Sequence, residues 1–271
     1  MIGRVLALTR YELDGLIRRR WIWWVAAAGL LAVVLITLTT DGATTQAESD
    51  DFRSGAASLL LIGGLTLALC LGATGIFTGG ITGSLGALVG SGARRGELTV
   101  SRIAARLLVM LGVLGLWCLA LQVASLAIGN GWDGPLAVHV AASAENASLV
   151  LLITAATSTV LGPFVAGLVG LIVHVTAQAV TNLEAAADLG RLGSSNRLAH
   201  VMYNLLPRSV SSPMVVELQN RGAGGPAAPR FEINNLPIPL QAAGLGTVAW
   251  TLFWCGLFAL LCLRGMKRRT L

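Results

Sequence analysis

WIWWVAAAGLLAVVLITL, residues 21–38, carries no charged side chain and opens on Trp21, Trp23 and Trp24. An α-helix needs roughly 20 apolar residues to cross the hydrocarbon core of a bilayer. Tryptophans at the edge of such a run suit the headgroup level, where an amphipathic ring has one apolar and one wet side. Comparably apolar stretches follow at residues 57–79, 103–128 and 242–263. Residues 145–180 are long enough for two more, and Gly162-Pro163 is the break, because proline ends or kinks a helix. This divides the stretch into 145–161 and 164–180. The whole chain of 271 residues agrees, with 55% hydrophobic and only 12% charged residues and a mean hydropathy of +0.75. Soluble domains carry about a quarter charged residues. The expectation is an all-α integral membrane protein, one transmembrane domain of six helices.

The segments between the spans add detail. Residues 1–20 hold Glu12, Asp14 and five arginines before any continuous apolar run, unlike a signal peptide. Wound as a helix, they place Ile2, Val5, Leu6, Leu13, Leu16 and Ile17 on one arc, with Arg4, Tyr11, Asp14 and Arg18 opposite and Glu12 at the edge. That pattern predicts an interfacial elbow helix. Glycine-rich spacing in the second span (Gly63, Gly64, Gly72, Gly75) predicts close helix packing. Residues 80–102 form a polar connection, and 182–240, with six prolines, a long segment on the opposite side. Within it His200 to Leu206 reads as a short amphipathic or re-entrant piece. If the termini and residues 80–102 share a side, that side collects 13 of the 19 basic residues. The positive-inside bias places it in the cytoplasm. The net charge of +6 is therefore assigned to membrane lipid and orientation, not to nucleic acid.

Several chemistries lack their residues. A phosphate-cradling loop needs G-x-x-x-x-G-K-[ST], and the single lysine, Lys267, is followed by Arg268. Any ATPase driving this chain is thus a separate polypeptide. Ser91 between Gly90 and Gly92 mimics a nucleophile motif, but in a charged connection it reads as a loop residue. His139, His174 and His200 are scattered, so neither a catalytic site nor a metal is expected. Cys70, Cys118, Cys255 and Cys262 fall in spans and read as small apolar residues. The polar residues that stand out within or beside a span are His174, Gln178 and Thr181, on one helical face. They are candidates for a substrate path or, equally, for interhelical hydrogen bonding.

The connection carries the most specific pattern. Gly83-Ser84-Leu85-Gly86-Ala87-Leu88-Val89, then Arg94-Arg95, then Glu97-Leu98-Thr99-Val100-Ser101-Arg102-Ile103-Ala104-Ala105, resembles the permeases of the ABC-2 type exporter family. Ser84 stands where that family has threonine, Ser101-Arg102 where it has glycine-lysine, and its usual proline in the turn is missing. The elbow helix, six spans and the long segment before the last span extend the likeness in architecture. The resemblance implies a permease subunit in a bacterial inner membrane, with both termini cytoplasmic. It would pair with a second copy or sister permease and dock on two separate ATP-binding cassette ATPases. Those subunits, not this chain, would bind ATP and Mg. It also implies that residues 80–102 act as the coupling segment, with Gly83, Ser84, Leu85, Arg94, Arg95, Glu97 and Arg102 at the ATPase interface. The second and fifth spans would line the path. Competing expectations are a proton-coupled secondary transporter using His174, and a non-transporting scaffold subunit.

Overall fold

The computed structural model describes residues 2–40, 45–74, 94–222, 231–233, 236–238 and 242–268. Nine helices are described: α1 Ile2–Ile17, α2 Arg20–Thr39, α3 Gln46–Ala73, α4 Arg95–Ala127, α5 Gly134–Ser158, α6 Pro163–Asp188, α7 Asn196–Leu205, α8 Pro213–Arg221 and α9 Leu245–Arg268. One small departure from helix is an antiparallel ribbon of β1 Phe231–Ile233 and β2 Leu236–Ile238, with Phe231 opposite Ile238. Six helices, α2 to α6 and α9, are long and apolar enough to span a bilayer. The chain is a helical, multi-pass membrane protein. The end of the bundle that carries α1 is called basal below, and the opposite end distal.

The spans begin earlier or run further than apolar content predicts. The second was expected from residue 57, but α3 starts at Gln46, where Thr45 and Glu48 form a reciprocal capping box. Its polar first turns are tolerated because their charges are paired: Arg53 with Asp133 at 2.7 Å and Asp50 with Arg221 at 2.9 Å. Arg221 also meets Glu217. The third was expected from residue 103, but α4 starts at Arg95. The fourth was expected from residue 145, but α5 starts at Gly134, with the Asp133 side chain capping the Leu136 N–H and Pro135 in the first turn. Glu145 is therefore well inside a helix, not at its mouth. The fifth was expected to stop at residue 180, but α6 continues to Asp188 and buries Ala185, Ala186 and Ala187. Residues 182–188 thus belong to a helix and not to the long distal segment.

Helix α5 is the axis of the bundle, packed by α3, α4, α6, α8 and α9. Residues Leu149 to Ala155 are buried without a break, so this stretch of the helix is enclosed on every side. At the basal end α1 lies along the start of α4. Its buried stripe differs from the predicted arc. Thr9 and Leu16 are buried and Glu12 turns inward, whereas Leu6 and Ile17 remain exposed. An ion pair with α4, described below, sets that rotation.

Close helix approach centres on Trp117 of α4, whose indole N–H donates to the Ala26 carbonyl of α2 at 3.0 Å. A Cβ at Gly29 of α2 would overlap the indole, and one at Gly63 of α3 would lie 2.6 Å from its Cζ3. Membrane helices are held by such van der Waals contact, since lipid supplies little hydrophobic drive. Gly29→Ala is expected to destabilise the bundle by about 1–3 kcal/mol, the usual range for overpacking. Gly112→Ala on α4, where a Cβ would meet nothing within 4 Å, is the control and should cost nothing. Reversible unfolding in mixed micelles measures both.

Candidate functional site

Two polar assemblies interrupt the apolar bundle. The first is a charged floor at the basal end. Arg102, two turns into α4, donates from Nε to Glu12 Oε1 of α1 at 2.8 Å. Arg102 is 7% exposed, so the pair is largely enclosed. One turn on, Arg106 donates from Nε to the Leu71 carbonyl at 3.0 Å and from Nη1 to the Arg102 carbonyl at 3.3 Å. Leu71 belongs to the last described turn of α3, and its carbonyl also accepts from the Thr74 hydroxyl at 3.1 Å. A guanidinium there gives that carbonyl a charged donor and complements the negative end of the helix dipole. Arg102 and Arg106 thus fasten α1 and α3 to α4 where residues 75–93 leave α3 and rejoin α4.

Of the residues the resemblance assigns to coupling, Gly83, Ser84 and Leu85 lie outside the described residues. Arg94 is exposed at the N-cap of α4 and its backbone N–H donates to Glu97 Oε2 at 3.1 Å. Arg95 opens the helix. Glu97 and Arg102 are both buried, Glu97 capping the start of α4 and Arg102 paired with Glu12.

The second assembly is a polar seam entering from the distal end. After α7 the chain runs as irregular backbone from Leu206 to Ser212 against α5, α6 and α9. Irregular backbone inside a membrane bundle is stable only where protein side chains meet its N–H and C=O groups. Here they do. Asn146 of α5 donates to the Val210 carbonyl at 3.0 Å and accepts from the Val210 N–H at 2.9 Å. Thr181 of α6 accepts from the Ser209 N–H at 3.2 Å. From α9, Thr251 donates to the Arg208 carbonyl at 3.2 Å and Trp250 to the Leu206 carbonyl at 2.9 Å. Asn146 lies twelve residues along α5, about 18 Å at 1.5 Å per residue. The segment is re-entrant.

At its far end His139 joins two hydroxyls, with Nδ1 2.9 Å from Ser212 Oγ and Nε2 3.3 Å from Ser143 Oγ. Ser212 also caps α8 by accepting from the Val215 N–H. The serine–histidine group is enclosed, with Ser212 2% exposed. It docks α8 and the re-entrant segment onto α5. Arg208 completes the seam's mouth, 3.7 Å above the Tyr203 ring and 5.4 Å from the Trp250 ring.

The three residues predicted on one face of α6 separate in role. Thr181 is taken up by the Ala177 carbonyl and the Ser209 N–H. His174 is buried but makes no hydrogen bond among the described residues. It lines a cleft between α3, α5 and α6 that admits about one water molecule, shared with Leu61, Leu65, Ser143 and Asn146. Gln178, half-buried, lies between them. Sequence reasoning missed Asn146, His139 and Ser143, although their spacing of three and four residues puts them on one face of a helix. Starting the span at residue 145 hid that pattern. It also missed Glu145, whose Oε1 is enclosed without a donor among the described residues.

No family model matches the chain and no curated protein matches it. The functional reading therefore rests on the floor, the seam and six apolar helices.

Proposed function

We propose that this chain is the membrane-embedded permease subunit of an ATP-driven exporter of the ABC-2 type. The observation that carries the reading is the charged floor. The helix α4 that follows residues 75–93 is tied through Arg102 to α1 and through Arg106 to the end of α3. A separate ATPase pushing on residues 75–95 would move three helices at once. Such a bistable, ligand-biased displacement is what alternating access requires. In this reading α3 and α6 line the path, His174 and Gln178 face it, and the basal end is cytoplasmic in a bacterial inner membrane. A second copy or sister permease completes the bundle, and two ATPases bind ATP and Mg.

The second reading is a proton-coupled secondary transporter. The chain Ser212–His139–Ser143, which reaches the His174 cleft from the distal end, and the enclosed Glu145 favour it, since ionisable groups at membrane depth are rare without function.

One experiment separates the two. The chain, tagged and purified in mild detergent from its native host, is expected to bring down a nucleotide-binding ATPase in stoichiometric amount. Arg94→Glu with Arg95→Glu should reduce that recovery at least tenfold while the chain stays monodisperse. Recovery without any nucleotide-binding partner would refute the permease reading and favour the second.

A further inference from the structure

Outside the floor and the seam, the fold gathers three metal-ligating side chains that the sequence keeps apart. Glu184 and Asp188 sit one turn apart at the C-terminal end of α6. The chain then reverses through the tight turn Gly193–Ser195, and α7 presents His200 to both. Donor atoms from the three residues all lie within 4.8 Å of one another.

The existing contacts leave this cluster incomplete. His200 Nδ1 and Glu184 Oε1 are 2.9 Å apart, a hydrogen bond that holds the imidazole pKa above its ordinary value. That bond uses one of four carboxylate oxygens. Glu184 Oε2 is enclosed and meets no donor among the described residues. An enclosed carboxylate oxygen without a partner is costly in an apolar setting. Asp188 stands at the exposed rim, so a cation can enter from the distal face. The carbonyls ending α6 add the negative pole of the helix dipole on the same side.

We propose that Glu184, Asp188 and His200 form a binding site for a divalent transition metal of the zinc class. Two carboxylates and one imidazole make a three-ligand set with a fourth position open to water. The imidazole selects zinc, cobalt or nickel over magnesium and calcium, which prefer oxygen alone. On binding, the metal replaces the proton that now bridges His200 and Glu184. The ion pins the end of α6 to α7 and thereby fixes where the chain begins its return towards the seam. The site does not depend on the permease reading.

The test uses the full chain with a tag that contains no histidine, purified in detergent and stripped with chelator. Titration calorimetry should find one Zn2+ per chain, and Co2+ should give the intense visible bands of a low-coordinate site. A hundredfold excess of Mg2+ should not displace the zinc. Glu184→Gln and His200→Ala should each weaken Zn2+ binding at least tenfold, whereas Asp51→Asn, an exposed acidic residue elsewhere, should not. Zn2+ should also protect His200 of the unaltered chain from acylation, read by peptide mass spectrometry, which decides the matter if the variants aggregate. Binding without stoichiometry, equal binding by the variants, or no protection of His200 would overturn the site and mark the ion as adventitious.

Discussion

Arg102→Met is expected to destabilise the protein by about 3 kcal/mol, at the lower end of what breaking a buried ion pair costs. The guanidinium is 8% exposed and the Glu12 carboxylate 19%, so removing the cation leaves a nearly enclosed anion without its partner. The fifth of Glu12 that still reaches solvent is the reason for the lower end. Glu12→Gln should cost less, because a neutral amide can still accept from Arg102. The double variant Glu12→Gln with Arg102→Met should recover most of the loss. A double-mutant cycle measured by unfolding in mixed micelles isolates this coupling. Additive losses would show that the pair acts independently and that α1 is not fastened through it. Under the permease reading the double variant has a second use. It should bind the ATPase yet fail to transport, because the link from the connection to α1 is cut while the fold persists.

Asn146→Leu has the other large expected effect, about 4 kcal/mol. The amide serves both backbone groups of Val210, which is itself 7% exposed. Leucine keeps the branched shape and the number of heavy atoms but leaves an N–H and a C=O unpaired, each costing about 1–3 kcal/mol when buried. Asn146→Asp keeps an acceptor for the N–H and should lose roughly half as much. The same change should release the re-entrant segment. With Ser209→Cys as a reporter, labelling by a membrane-impermeant maleimide should rise sharply in the Leu variant. Unchanged labelling and stability would mean that Thr181, Thr251 and Trp250 hold the segment without Asn146.

The two assemblies differ in how legible they were. The spans could be read because an apolar helix in a bilayer is specified by local composition alone. Their ends could not, because composition treats every charge as a terminator. Arg53, Glu97, Arg102 and Glu145 all sit within helices, Arg53 and Arg102 with partners brought from far along the chain. The capping signals were present at Thr45-x-x-Glu48 and Asp133-x-Pro135, and they mark the true starts better than hydropathy does. His174 was singled out as a polar residue within a span, but the Ser143 and Asn146 that share its cleft come from another helix. Similarly, three scattered histidines suggested no metal cluster. His200 meets Glu184 and Asp188 only because the turn after α6 reverses the chain.

Sequence alone determined that this is a multi-pass helical membrane protein, since each span must satisfy its own backbone hydrogen bonds and face lipid with apolar side chains, and both demands are local. Tertiary structure alone decided where polar groups go. A buried carboxylate, guanidinium or bare peptide is tolerable only beside a specific partner, and those partners lie 64 to 171 residues away for Asn146–Val210, His139–Ser212, Arg53–Asp133, Glu12–Arg102 and Asp50–Arg221. Separations of that size are set by how the helices pack, which no local pattern encodes.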